Sequence, residues 1–340
     1  MEKIEHESIE SADERKKNHL DLAFASQNAE IDDRFNYEPM LKGHPLEGEE
    51  MPVQFGNKIM KFPIWISSMT GGTSDAGPIN KLLAATAGKY GLGMGLGSCR
   101  IILEDNTYFE DFNLRPILGD ACPLYANMGI AQIEKILENK QVNKLRSLIE
   151  RLDADGLIVH VNPLQEWLQP EGDIIQHSPI ETLDKLLNEL DFPMIVKEVG
   201  QGFGPESMKE LLKRPLLAID FAANGGTNFS KLEMLRNKRK EEHFQNVTKL
   251  GHGADEMVEL LNNAVDVLGQ NVKCQNAIIS GGIQDFLDGY YYISKSKMQA
   301  IYGQASAFLN YANKGQEELD QFTHHQINGL LMARNFLRIK

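Results

Sequence analysis

The densest set of side chains able to do chemistry lies in His160-Val161-Asn162-Pro163-Leu164-Gln165-Glu166. Side chains alternate along a strand, so His160 and Asn162 share one face of an extended run. Pro163 then turns the chain, and Gln165 and Glu166 follow. A lone carboxylate among neutral amides makes a poor Zn2+ site, which wants several nitrogen or sulfur donors. It suits Mg2+, which keeps most of its waters and takes further oxygens from a phosphorylated substrate. The plainer alternative is a Glu166 that is merely solvated on a loop. A second chemical residue is Lys197, which closes the apolar run Pro193-Met194-Ile195-Val196. Glu198 is awkwardly placed to pair with it, because adjacent strand residues point to opposite faces. A cation at such a strand end suits an electron-rich cofactor, such as an anionic reduced flavin.

These residues need a frame, and the hydrophobic pattern supplies one. Short apolar, β-branched runs recur at 64–68, 92–96, 123–127, 156–161, 193–197, 216–221, 277–280 and 299–303. They are nearly continuous instead of alternating, the mark of parallel strands buried on both faces. Amphipathic stretches of helical period lie between them. Leu82, Leu83, Thr86 and Ala87 form one stripe; Leu145, Leu148, Ile149 and Leu152 another. Leu183, Leu186, Leu187 and Leu190 repeat the pattern, as do Met257, Leu260, Leu261, Val265 and Leu268. The fold class expected is α/β: a TIM (β/α)8 barrel over 61–314, with an N-terminal extension over 1–60 that holds a helix near 13–27. An insertion of mixed charge at about 228–252 follows the sixth strand, and a helix over 315–340 packs on the barrel. A doubly wound open sheet is the alternative, but it normally has fewer strands.

A barrel of this kind carries its active site at the C-terminal ends of its strands. Those positions read Ser67-Ser68-Met69-Thr70-Gly71-Gly72, Gly97-Ser98-Cys99-Arg100, Asn127-Met128-Gly129, the 160–166 stretch, Lys197-Glu198-Val199-Gly200, Gly225-Gly226-Thr227, Ser280-Gly281-Gly282 and Gly303-Gln304-Ala305. One such segment could be an ordinary turn; eight polar, glycine-rich strand ends together point to a site. Glycine turns after the last strands expose backbone N–H groups of the kind that bind phosphate.

Composition narrows the partners. The 340 residues carry a formal net charge of -13, which disfavours nucleic acid and anionic membranes as partners. An anionic substrate must then be held by local cations and backbone N–H groups. The charged N-terminus has no apolar core of a secretion signal, and no apolar run reaches the eighteen or so residues of a membrane span. Three widely spaced cysteines, Cys99, Cys122 and Cys274, form neither a disulfide framework nor a zinc pattern. A cytoplasmic location is expected.

Taken in order, the strand-end motifs resemble those of type 2 isopentenyl diphosphate isomerases from near residue 15 to about residue 309. The matching pieces are R-K-K-N-H at 15–19, M-T-G-G at 69–72, G-S-C-R at 97–100, N-M-G at 127–129, H-V-N-P-L-Q-E at 160–166, K-E-V-G at 197–200, G-G-T-N-F at 225–229 and S-G-G at 280–282. The resemblance implies an isomerase that interconverts isopentenyl and dimethylallyl diphosphates, with reduced FMN as acid and base, Mg2+ as metal and NADPH as reductant. It implies that Ser68, Met69, Thr70, Ser98, Asn127, Lys197 and Thr227 contact FMN, with Gly281, Gly282, Ala305 and Ser306 around its phosphate. It places Arg15, Lys16 and His19, with Ser98, Arg100 and Gln165, on the substrate, and Glu166 on Mg2+. Gln165, His160, Asn162 and Lys197 form the implied catalytic set, and a homotetramer or larger assembly is the implied partner state. The chain departs from the family pattern at Gln284 and Ser306, where arginines are usual, at Ala222, often serine, and at Cys99, usually glutamine. The first three remove cation or hydroxyl partners near the implied FMN phosphate. A rival on the same barrel, the FMN-dependent 2-hydroxy-acid oxidase, needs a His–Arg turn where this chain has Asn224-Gly225-Gly226-Thr227. A barrel that has lost tight flavin binding and isomerase activity is the other alternative.

Overall fold

Runs such as Gly156–His160 and Met194–Lys197 contain almost nothing but apolar residues because both of their faces are covered, one by the barrel interior and one by helices. In the computed structural model, which describes residues 12–68, 71–72, 75–237 and 243–340, eight such strands close into a parallel barrel. They are β4 (Ile64–Ile66), β5 (Gly93–Gly95), β6 (Leu124–Gly129), β7 (Gly156–His160), β8 (Met194–Lys197), β9 (Ala218–Asp220), β10 (Asn276–Ser280) and β11 (Gln299–Gln304), paired in chain order, with β11 back against β4. All eight expected strands are present, and the amphipathic helices lie between them. The stripe Leu145, Leu148, Ile149 and Leu152 is buried, as are Leu183 and Leu186 and, on the helix before β10, Met257, Val258 and Leu261.

Four further strands lie outside the barrel as two antiparallel pairs. β2 (Val53–Phe55) and β3 (Lys58–Met60) form a hairpin whose Phe55 and Met60 pack with Trp65, Tyr125, Ile158, Ile195, Ile278 and Ile301 in the barrel interior. That plug closes the N-terminal end with apolar volume, so only the C-terminal end is left for polar work. β1 (Phe35–Tyr37) pairs antiparallel with β12 (Leu337–Ile339).

That last pairing corrects the expected tail. The helix over 315–340 runs only over Gln316–Phe336, after which the chain extends as β12. Residues 337–339 have a partner strand waiting in the N-terminal extension, and the Glu38 N–H donates to the Phe336 carbonyl at 2.7 Å. A tertiary partner overrides a local period. Within the insertion at 228–252 the described residues hold a helix, Phe229–Arg236, and a 3-10 turn, Gln245–Lys249. The N-terminal helix spans Ala12–Leu22, shorter than the 13–27 stretch read from the sequence. Among the described residues no helix is long and apolar enough to cross a membrane.

Candidate active site

A cavity of about 340 Å3 opens at the C-terminal end of the barrel between β4, β8, β9, β10 and β11. Ser68, Lys197, Thr227, Gly281, Gly282, Ala305 and Ser306 line it, seven of the residues expected there from sequence. Met69 and Thr70 lie outside the described residues. Ser98 and Asn127 do not line the cavity: Ser98 is exposed, and Asn127 is buried among the strand ends, where its amide nitrogen donates to the Leu96 carbonyl at 3.0 Å. Cys99 is fully buried, and burial pushes its thiol up to about 12, so it stays a protonated core residue.

Two properties of the cavity wall bear on its ligand. Ser67 Oγ, Ser68 Oγ and Gln304 Oε1 are buried without a hydrogen-bond partner. A buried polar atom left unpaired costs about 1–3 kcal/mol, so three at one wall mark a place where a polar ligand completes the bonding. The glycines are also constrained. Gly281 sits at φ +89°, and a Cβ there would fall 2.1 Å from the Ala223 carbonyl oxygen; Gly225, at φ +109°, would bring one 2.9 Å from Gly282 Cα. The two turns therefore pack backbone on backbone, which makes the glycines structural as well as permissive of a close ligand. Gln284 and Ser306 are exposed at this end, and Lys197 is the one charged side chain among the described residues lining the cavity.

Lys197 does not pair with the Glu198 carboxylate. Glu198 Oε2 accepts from the N–H groups of Gly200, Gln201 and Gly202 and holds that loop, while Lys197 Nζ donates to the Glu198 backbone carbonyl at 2.9 Å. The carboxylate facing Lys197 belongs to Asp220, at 3.8 Å on the neighbouring strand and wholly buried. Asp220 was not singled out from sequence, although an acid closing the apolar run Leu216-Leu217-Ala218-Ile219 is the same signal that marked Lys197.

The second cluster is the 160–166 segment. Asn162 Nδ2 donates to Gln165 Oε1 at 3.0 Å and to Glu166 Oε1 at 3.1 Å, while Asn162 Oδ1 is buried with no partner. Gln165 Nε2 donates to Glu233 Oε1 at 3.3 Å, and Glu233, 2% exposed, also accepts from Arg236 at 2.7 Å. Glu233 stands one turn beyond Phe229, which lines the cavity, so this helix bridges the two clusters. Sequence reading missed Glu233 because it lies inside the charged insertion. The second oxygen of Glu166 accepts the Asp173 N–H at 2.7 Å. Asp173 in turn accepts from Gln132 at 2.7 Å and pairs with Lys135 and with Arg100, the latter at 3.1 Å. The Lys135 hydrogen bond and the nearby cations hold the Asp173 carboxyl below its ordinary range against the cost of its burial. Arg15, Lys16 and His19 are exposed on the Ala12–Leu22 helix, and none of them lines the cavity.

His160 is tied into the barrel mouth through Nδ1, which lies 2.7 Å from Asn127 Oδ1. That oxygen belongs to an amide whose nitrogen already donates to Leu96, so His160 Nδ1 carries the proton. Burial, aided by the charge of Lys197, pushes the imidazole down from 6.5 to about 4. Between these values the unfolded chain binds a proton that the folded chain does not, so stability rises with pH across the window and is lost on acidification. At about 1.4 kcal/mol per unit, the loss between pH 7 and pH 5 is expected to be about 2 kcal/mol larger in the wild type than in His160→Gln. Urea unfolding at the two pH values measures it; equal losses would mean that the folded protein protonates the ring freely.

No family model matches the chain. Among curated proteins, it is 32% identical over 317 residues to an isopentenyl-diphosphate delta-isomerase of Cronobacter sakazakii, which covers 91% of this chain and 88% of the relative. It is 32% identical over 272 residues to the protein of that name from Metallosphaera sedula, covering 79% and 72%. With the Rickettsia prowazekii protein of the same name it shares 37% over 235 residues, 69% of this chain and 66% of the relative. Solved structures give the fold alone. A flavocytochrome b2 variant with benzoylformate superposes at a TM-score of 0.62 with 12% identity, covering 89% of this chain and 75% of the other. A mandelate oxidase variant with a monooxide FMN adduct gives 0.54 with 13% identity, covering 90% and 88%.

Proposed function

Since the chain belongs to the isopentenyl-diphosphate delta-isomerase family, we propose that it interconverts isopentenyl and dimethylallyl diphosphates at the barrel mouth, using FMN and Mg2+. The observation that carries this reading is the pair of adjoining sites: a polar cavity with Lys197 as its one charged wall residue among the described residues, and beside it the hydrogen-bonded set Asn162, Gln165, Glu166 and Glu233.

The cavity suits a flavin. Its three unpaired buried oxygens want polar edges, its glycine turns allow close approach, and Lys197 offers a cation to an anionic ring. Ser67, Ser68, Lys197 and Thr227 would hold the ring, and Gly281, Gly282, Ala305 and Ser306 the phosphate. When bound and reduced, with NADPH as the source of electrons, the flavin supplies acid–base chemistry at the allylic carbons. Glu166, with the unpaired Asn162 Oδ1 next to it, offers a hard cation two oxygens of the kind Mg2+ accepts. Gln165 lies between Asn162 and Glu233, an orientation fixed at both ends of its amide, and would sit by the double bond. Arg100 stands on the rim beside Lys135, where a diphosphate would exchange with Asp173 for the guanidinium. Arg15, Lys16 and His19 would join it only if the N-terminal helix moves over the mouth. A homotetramer or larger assembly belongs to the same reading.

The test is an anaerobic assay of purified protein with isopentenyl diphosphate, Mg2+ and FMN reduced by dithionite. Free FMN must be supplied, because among the described residues no cation lines the phosphate end, and neutral hydrogen bonds are about half as strong as charge-assisted ones. Turnover that requires both reduced FMN and Mg2+ is expected. Turnover with oxidised flavin would refute the proposed chemistry, and flavin binding without turnover would leave a flavin-binding barrel that no longer isomerises.

A further inference from the structure

We propose that Asp220 is the positioning residue that keeps Lys197 charged and aimed at the cavity, and so sets the charge felt by whatever ring lies against that wall. This deepens the flavin reading above and rests on it. A carboxylate on a strand with no solvent exposure must be compensated, since an ion taken out of water loses its hydration. One oxygen of Asp220 accepts the Ser280 hydroxyl from β10. The other has no hydrogen-bond partner, and Lys197 Nζ stands 3.8 Å from it, within reach of an ion pair and beyond that of a hydrogen bond. Lys197 and Asp220 are register partners on β8 and β9, so their side chains leave the sheet on the same side.

The support behind Asp220 is built into the turn that follows it. Ala222 has φ +42°, a left-handed conformation that is strained for a residue with a Cβ. In that conformation its N–H donates to Ser280 Oγ at 2.9 Å, which leaves the Ser280 proton for Asp220. A strained amide therefore orients a hydroxyl, the hydroxyl orients a carboxylate, and the carboxylate faces the lysine. Two other acids near the barrel mouth are otherwise engaged: Glu198 holds the 200–202 loop and Glu233, on the Phe229–Arg236 helix, holds Gln165 and Arg236. On the other side of Lys197 its register partner is His160, which brings no carboxylate. Among the described residues, Asp220 is the carboxylate within ion-pair distance of Lys197.

The experiment compares the affinity for oxidised and reduced FMN, by fluorescence titration under anaerobic conditions, in four proteins: wild type, Asp220→Asn, Lys197→Met and the double variant. A protonated Lys197 favours the anionic reduced form, so the ratio of the two dissociation constants is expected to shift against reduced FMN by at least tenfold in each single variant. The double variant should be no worse than Lys197→Met, because Asp220 acts through the lysine. An unchanged ratio in Asp220→Asn, or its full effect added on top of Lys197→Met, would overturn the assignment. A wild type that binds no flavin refutes the flavin reading itself and this inference with it. The Lys197 ε-carbon resonance, assigned by its loss in Lys197→Met, gives an answer without relying on Asp220→Asn folding. In the wild type without flavin it should report a charged amine at pH 7, and a neutral one overturns the proposal.

Discussion

Glu166→Gln is expected to lower isomerase turnover by at least a hundredfold at ordinary Mg2+ while FMN binding stays as in the wild type. The side chain has two tasks that the substitution separates only in part. Its oxygens accept from Asn162 Nδ2 and from the Asp173 N–H, and a glutamine can satisfy only one of these while its own NH2 faces the other donor. That mismatch alone costs stability on the order of 1–3 kcal/mol, the usual range for an unsatisfied donor. Loss of the charge is the separate, metal-directed effect. It shows as a rise in the Mg2+ concentration needed for half-maximal rate, which a purely structural glutamate would not produce. A variant whose melting temperature falls but whose Mg2+ dependence and turnover are unchanged would make Glu166 a loop support and move the metal elsewhere.

Gln165→Ala is expected to lower kcat by about 10²–10³ with little change in KM, the signature of an interaction made in the transition state. In the structure the Gln165 amide is gripped at both ends, its oxygen by Asn162 and its nitrogen by Glu233. A side chain held so firmly presents one fixed face, as positioning of a reacting carbon requires. Truncation also leaves Glu233, nearly wholly buried, with Arg236 as its remaining hydrogen-bond donor among the described residues. Steady-state kinetics with both diphosphates separate the two parameters. A change confined to KM would assign Gln165 to substrate binding, and the proposed role at the double bond would fall.

Much of this protein was legible in one dimension, for reasons that are local. Eight double-faced apolar runs separated by helical stripes can satisfy their backbones and bury both faces in few ways, and a closed parallel barrel is the one found. Polar residues that end such runs gather at one rim whatever the details of packing, so the strand-end residues lining the cavity were identifiable by position alone. The 160–166 segment was legible for the same reason, since a proline-led turn after a strand keeps Asn162, Gln165 and Glu166 within bonding distance of each other.

Other features depend on contacts between residues far apart in the chain, and no local pattern carries them. Lys197 faces Asp220 and not Glu198 because strand register puts the former beside it and the pleat turns the latter away. Glu233 reaches Gln165 across 68 residues from inside the insertion of mixed charge. The last residues leave their helix because β1 offers them backbone partners. Composition and periodicity thus determined the barrel and which of its ends is polar, since those follow from burial along each element. The choice of partner for each buried charge was made only by tertiary structure, because a charge taken out of water is stable next to whichever counter-charge or N–H the fold brings within a few ångströms, and that distance is set by register and closure of the barrel.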